Sequence, residues 1–365
     1  MIKISVITGD LREQNSLAFV APIIKNLKLL KGADLDISFL KSVDGHGLDS
    51  NVLLVDGSVF RSQWRNKSEE VQKTLAYFNT ISDRVIYADV SDSTGWVKRD
   101  VFPYIDLFVK NQLLRDRKAY LKAQYGCRLY TDWIHQNYGV TDTSNEVNPP
   151  LVSEQDLNKL VVGWNSSLAN YAVEGLCLGE LYRRLRLPQL LRAPFRFVAP
   201  TKNRPIQVSC RISSNYSRET IAWQRKKAIE LLSGEILSAR ISRWRYFKEL
   251  ENSQIVISPF GFGEINYKDY EAFVSGAALL KPSMAHLETW PNLWVGGETI
   301  AEHGWGLEDF KEKLDRLLQN PTSVKAIATA AQEKYRKYLV GRMAGELFVK
   351  RFTRIIDTAT GMRPK

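Results

Sequence analysis

Short β-branched and apolar runs alternate with helical patterns along this 365-residue chain, and that alternation restricts the fold more than any other feature. Residues 2–8 form the first run, a turn follows at Gly9-Asp10, and 16–30 read as a helix. Residues 36–40, 51–57 (NVLLVDG) and 84–90 (RVIYADV) are further strand candidates. Helices are expected over 103–120 and again from 153, where Ser153-Glu154-Gln155-Asp156 reads as a capping box. Strands spaced by about 30 residues with helices between them are the βαβ signature of a parallel, doubly wound sheet.

The pattern breaks once. Pro188, Pro194, Pro200 and Pro205 fall close together among basic and polar residues, which stops helices and interrupts sheets. A second strand–helix series follows: strands at 206–212, 254–258 and 278–281, and helices at 217–232 and 266–275, the latter closed by Gly276. The tail reads as helices at 307–318, 321–339 and 343–358. The expected fold class is therefore α/β, with two Rossmann-like doubly wound domains facing each other across a cleft. Residues 1–187 would form the first domain, 188–205 the linker and 206–345 the second domain. Residues 346–365 would form a C-terminal helix packing back on the first domain.

Composition narrows the setting. No stretch reaches the roughly 18 apolar residues of a membrane span, and the start of the chain runs straight into a strand pattern without a signal peptide's regions. Cys127, Cys177 and Cys210 are widely spaced, which argues against a disulfide framework or a cysteine-built zinc site and points to a reducing cytoplasm. The formal net charge is +11, and its distribution is uneven: residues 183–248 hold 16 Lys and Arg against 3 acids, while the rest of the chain holds 35 against 37. A basic excess of that density attracts phosphate, whether of a nucleotide, a lipid surface or a nucleic acid.

The stretch richest in chemistry is 258–282 (SPFGFGEINYKDYEAFVSGAALLKP), which reads as strand, glycine loop, helix, glycine cap and strand. Gly261 and Gly263 let backbone approach a ligand closely, with Phe262 between them, and the helix that follows offers free N–H groups and a partial positive charge to a diphosphate. Glu264 and Glu271 lie seven residues apart, so both carboxylates are expected on one helix face, where they suit ribose and hexose hydroxyls. Tyr267 sits between them. Arg211 ends the strand before the 217–232 helix, and Arg218 and Arg225 lie seven apart on that helix; as a set they suit phosphate oxygens.

These residues resemble the donor-binding motif of GT-B-fold glycosyltransferases of the group 1 type. Glu271-Ala272 followed by Gly276 matches that family's E-A-x-x-x-G portion, and the likeness extends over 205–232, with coverage from about Arg204 to Trp305. Retaining members commonly space their two glutamates eight apart rather than seven. The resemblance implies an enzyme that moves a sugar from a nucleotide-sugar donor, with Glu271 at the ribose and a basic residue at the diphosphate. A cell-surface polysaccharide or lipid-linked glycan is the expected acceptor, and the basic segment suits peripheral contact with anionic membrane at its cytoplasmic face. DNA-base glycosylation and a non-catalytic sugar- or nucleotide-binding module are the alternatives.

The first domain is expected to supply the acceptor side and a carboxylate base, with Asp10 as first candidate beside Asp56 and Asp92 at later strand ends. Glu264 is the second catalytic candidate. His46, His135, His286 and His303 show no metal-ligand spacing, and Asp34-Leu35-Asp36 falls at a helix-to-strand turn. No metal and no cofactor beyond the nucleotide-sugar co-substrate is expected, with helix N-termini and arginines neutralising the leaving diphosphate.

Overall fold

The computed structural model describes residues 1–9, 11–40, 50–143, 151–232 and 241–361. Seven strands belong to the first half: β1 (Ile2–Ile7), β2 (Leu35–Leu40), β3 (Val52–Asp56), β4 (Arg84–Asp89), β5 (Leu107–Lys110), β6 (Gln112–Leu114) and β7 (Leu160–Val162). Six of them form one parallel sheet in the order β2-β1-β3-β4-β5-β7. The order reverses between β1 and β3, and in sheets of this kind such a switch point opens a crevice beyond the carboxyl ends of the strands. β3, β4 and β5 are buried on both faces, which explains why β3 and β4 read as continuous apolar runs rather than alternating ones.

The second half contributes β8 (Ile206–Ser209), β9 (Ser253–Ile257), β10 (Ala278–Pro282), β11 (Leu287–Thr289) and β12 (Ala301–His303). Four of these form a parallel sheet in the order β12-β10-β9-β8. Helices cover both faces. Val256 and Leu279 face the Tyr267–Ser275 and Pro321–Leu339 helices, while Ile255, Ile257 and Leu280 face the Glu219–Leu231 and Phe310–Gln319 helices.

The chain departs from the sequence reading between β5 and β7. Helices were expected over 103–120; the structure has β5 and β6, flanked by short 3-10 turns at Arg99–Tyr104 and Arg117–Leu121. A four-residue buried strand is too short to display a period, so its apolar residues pass for a helix stripe. From 153 the reading also differs: Ser153 and Asp156 hydrogen-bond at 2.6 Å, but the turn they start, Gln155–Lys159, gives way at once to β7. Leu160-Val161-Val162, with two β-branched valines, takes the sheet edge next to β5.

The excursion between those two strands crosses to the second half. β6 pairs antiparallel with β11, and the Leu129–Tyr138 helix inserts Tyr130 and Ile134 among Ile221, Phe260 and Tyr270. Asp142 then accepts hydrogen bonds from the backbone N–H (2.8 Å) and hydroxyl (2.9 Å) of Thr220, capping the Glu219–Leu231 helix from outside it. The last helix, Gly341–Thr360, runs in the other direction. It places Phe348, Phe352, Ile355 and Ile356 in the core of the first half with Ile4, Val6 and Ile86, and Arg84 Nε donates to the Ala359 carbonyl at 2.8 Å. At about 1.5–3 kcal/mol for each fully buried large side chain, this packing far outweighs any surface ion pair holding the halves together. Among the described residues no helix is long and apolar enough to cross a membrane.

Candidate functional site

The glycine loop follows β9 and enters the Tyr267–Ser275 helix, so it lies at the carboxyl edge of the second sheet. Asp269 organises it. This carboxylate is fully buried, pairs with the equally buried Lys281 at 3.1 Å, and accepts from Ser258 Oγ (2.6 Å), Trp294 Nε1 (3.0 Å) and the Asn266 backbone N–H (3.2 Å). Strand end, loop and helix start are thereby fixed to one another. Removing one partner would strand the other as an uncompensated buried charge.

Two of the glycines are required sterically. A Cβ on Gly263 would lie 2.3 Å from the Asp92 carbonyl oxygen, so only glycine lets the loop rest against the first half at this point. Gly276 ends the helix at φ +68°, and a Cβ there would lie 2.2 Å from the Val198 carbonyl oxygen. At Gly261 the surroundings are polar: Arg225 Nη2, Asn266 Oδ1 and Tyr216 Oη each lie 3.3 Å from where a Cβ would stand.

The three arginines expected to act as a set are placed differently. Arg225 donates to the Phe260 carbonyl (2.7 Å) and the Ser213 carbonyl (3.1 Å), which turns its guanidinium under the glycine loop; burial lowers its pKa. Arg218 is buried against the crossing excursion and donates to the Gly126 carbonyl at 3.0 Å. Burial and the neighbouring Arg128 both lower its pKa. Arg211 does not join them. Its guanidinium is held by Glu249 at 2.6 Å, a carboxylate on the Arg243–Asn252 helix that the sequence reading did not single out as a helix.

The two glutamates also part company. Glu264 precedes the helix, whose N-cap is Asn266, so the two do not share a helix face. Glu264 is fully buried and points to the first half, where its Oε2 accepts from Thr94 Oγ1 (2.8 Å) and the Thr94 backbone N–H (3.1 Å); its Oε1 lies 3.6 Å from His286 Nε2. Burial works to raise its pKa, but His286 and Thr94 outweigh that and hold it below the ordinary value. Glu271 lies inside the helix and pairs with Arg243 at 3.0 Å; burial raises its pKa, opposed by Arg243, Lys268 and Tyr246. Burial pushes the Lys268 ammonium down to about 8, and its Nζ donates to the Arg211 carbonyl.

Phe262 is exposed at the loop tip, beneath the Arg128 guanidinium and 5.4 Å from the Tyr216 ring. The Tyr267 hydroxyl donates to Asn15 Oδ1 of the first half, and Asn15 Nδ2 in turn donates to Asp92 at 2.6 Å. Asp56 is fully buried and caps the turn after β3 through the Ser58 N–H at 2.9 Å. Asp10 lies outside the described residues.

The crossing excursion adds residues with no motif of their own. Arg128 Nε donates to the Phe262 carbonyl at 2.6 Å, and the Tyr130 hydroxyl donates to the Gly261 carbonyl. Nothing local marks Arg128 or Tyr130, because their importance depends on the chain crossing between halves. Arg128 and Arg225 thus bond the loop directly, Arg218 lies beside Arg128, Lys268 stands in the first turn of the helix that follows, and the loop abuts the segment after β4 at Asp92. Cations and amide groups around a loop that opens a helix form a surface suited to phosphate oxygens. Among the described residues no group of three His, Cys, Asp or Glu side chains is arranged to hold a metal ion.

No family model and no curated protein matches the chain. Among solved structures, it is similar to Anabaena Alr3699/HepE in complex with UDP, with a TM-score of 0.43 and 9% identity over 98% of this chain and 100% of that one. Similarity also extends to S. aureus MnaA in a co-structure with UDP (TM-score 0.39, 10% identity, 99% and 98% coverage). A glycosyltransferase from Rickettsia africae ESF-5 gives a TM-score of 0.43 at 8% identity, covering 99% of each chain. Similarity at this level assigns no role to any residue.

Proposed function

We propose that the chain is a nucleotide-sugar-dependent glycosyltransferase of GT-B type, with its donor site at the Gly261–Gly263 loop and its acceptor site in the first half. The observation that carries this reading is the meeting of the two sheets' carboxyl edges, where Gly263 rests on Asp92. Two α/β halves that present their strand ends to each other can hold two substrates with the reacting atoms between them. The loop, the helix N-terminus behind it, Arg225 and Lys268 would take the donor diphosphate and stabilise it as it leaves. Glu271, already paired with Arg243, would exchange part of that pairing for the ribose hydroxyls.

The halves touch directly over the loop through Thr94–Glu264 and Asn15–Tyr267. Donor entry on this reading therefore requires those contacts to part, in the manner of hinge opening, and to re-form over the bound donor so that water is excluded. The acceptor would be a cell-surface polysaccharide or a lipid-linked glycan, used on the cytoplasmic side. Release of nucleotide from UDP-, GDP-, CMP- and dTDP-sugars, followed in the presence of a chelator, tests the activity. Turnover of one donor that is lost in Glu271→Ala supports the reading. Binding of a nucleotide with no turnover of any donor, with or without glycan acceptors, would leave a binding module instead.

A further inference from the structure

The Pro321–Leu339 helix packs in the core of the second half and ends where Gly341 takes a left-handed turn (φ +83°). The Gly341–Thr360 helix leaves from that turn and crosses back to the first half. A cavity of about 330 Å³ lies at the bend, between these two helices, the end of the Gln14–Lys25 helix, Leu168 and Ala193 of the linker. Its walls therefore come from both halves. None of the residues that form or bond the glycine loop lines it. Its size falls within the range of small-molecule sites, roughly 300–1,000 Å³.

Most of the wall is apolar, with Leu168, Leu339, Ala344 and Phe348 all buried. One cation stands in it. Lys25 ends its helix, is half-buried, and donates from Nζ to the Leu168 carbonyl at 2.8 Å. An ammonium carries three donors, and that carbonyl takes one of them. Among the described residues no carboxylate pairs with Lys25, and burial, with no acid opposing it, pushes its pKa down to about 8. The start of the Gly341–Thr360 helix lines the same cavity. Its N-cap residue, Val340, supplies no side-chain acceptor, and no acid sits in its first turn, so the positive end of the helix adds to the charge of the lysine.

We propose that this cavity binds a small amphiphilic monocarboxylate, with its head on Lys25 and its aliphatic or aromatic body along Leu168, Leu339 and Phe348. The carboxylate supplies the counter-ion that the protein withholds, and the apolar body covers the remaining wall. A neutral apolar ligand would shut the ammonium away from water without a partner. A phosphate carries nearly two charges, and the second would enter an apolar wall uncompensated. A ligand held there touches both halves at once, well apart from the donor loop. Its binding is measured without nucleotide and stands or falls independently of the transferase reading.

Calorimetric titration of the full chain at neutral pH with octanoate, 1-octanol, acetate and inorganic phosphate tests it. Octanoate should bind saturably with one site per chain. Octanol should bind at least about tenfold more weakly, the scale of a lost charged hydrogen bond, and acetate and phosphate should give no saturable heat. Lys25→Met keeps the stem, removes the charge, and should weaken octanoate at least about tenfold, to the level of octanol. Methyl NMR spectra of the wild type should show octanoate-induced shifts at Leu168 and Leu339. Should Lys25→Met fail to fold, the octanoate–octanol ratio and the methyl shifts in the wild type decide by themselves. Absence of saturable octanoate binding, equal affinity for octanoate and octanol, phosphate binding as tightly as octanoate, unchanged octanoate affinity in folded Lys25→Met, or methyl shifts that spare Leu168 and Leu339 would each overturn the proposal.

Discussion

Glu264, in the loop that follows β9, and Thr94, after β4 in the other half, are both fully buried and joined by two hydrogen bonds of 2.8 and 3.1 Å. A carboxylate in that position is a clasp between halves, charged and shielded from water. Replacing Thr94 by Val, which keeps the shape and removes the hydroxyl donor, should cost about 1–3 kcal/mol, the scale for a hydrogen bond to a charged group. Urea unfolding checks this, and a loss below a few tenths of a kcal/mol would show that the clasp contributes nothing.

The same clasp has a pH signature. The folded-state pKa of Glu264 lies below its ordinary value of 4.5, so the stability it contributes is fully present above that value and is lost as pH falls through the folded pKa. Melting temperature measured from pH 6 down to 3 should fall more steeply in the wild type than in Glu264→Gln. Parallel curves would contradict the assignment.

Lys268 makes the opposite kind of prediction. Its pKa is pushed down to about 8 by burial, so its ammonium loses its charge in the mildly alkaline range. If it faces the donor diphosphate, affinity for a nucleotide-sugar, whose diphosphate has no group titrating near neutrality, should be constant from pH 6 to 7 and fall above about 8. In Lys268→Met, calorimetric titration should give weaker binding with that alkaline fall removed.

How much of this was legible beforehand depends on range. The Tyr267–Ser275 helix, its Asn266 start and its Gly276 end could be read directly, because capping, helix and left-handed stop all lie within a dozen residues. The Pro321–Leu339 helix was equally plain, with Pro at its first position. The crossing excursion was not, because β5 and β6 are too short to show a period and Arg128 acts only through its long-range bond to the Phe262 carbonyl. Arg211 looked like a phosphate ligand for the same reason. Its partner Glu249 is 38 residues away on an amphipathic helix rich in aromatic and charged residues, and nothing local ties the two together.

Asp142 offers a direct test of the excursion's structural part. It supplies the N-terminal cap of the Glu219–Leu231 helix through Thr220, and the helix's own N-cap residue, Arg218, makes no such side-chain bond. Asp142→Ala should therefore destabilise the protein by about 1 kcal/mol, as loss of an ordinary N-cap does. Amide exchange should speed up in the first turn of that helix while the six-stranded sheet of the first half stays protected.

Glu271 and Arg243 test the ribose side. Glu271→Ala should weaken nucleotide binding by about 1–3 kcal/mol, the scale of a charged hydrogen bond, in a protein that still folds. Unchanged affinity in the folded variant would place the nucleotide elsewhere.

The central claim is that a nucleotide diphosphate binds at the Gly261–Gly263 loop. Thermal melting of the wild type and of Arg225→Met with UDP, GDP, CMP and dTDP tests it most directly. One nucleotide, at about 100 times its dissociation constant, should stabilise the wild type by roughly 2.7 kcal/mol and the variant by much less. No shift with any of the four, or an equal shift in Arg225→Met, would contradict the account.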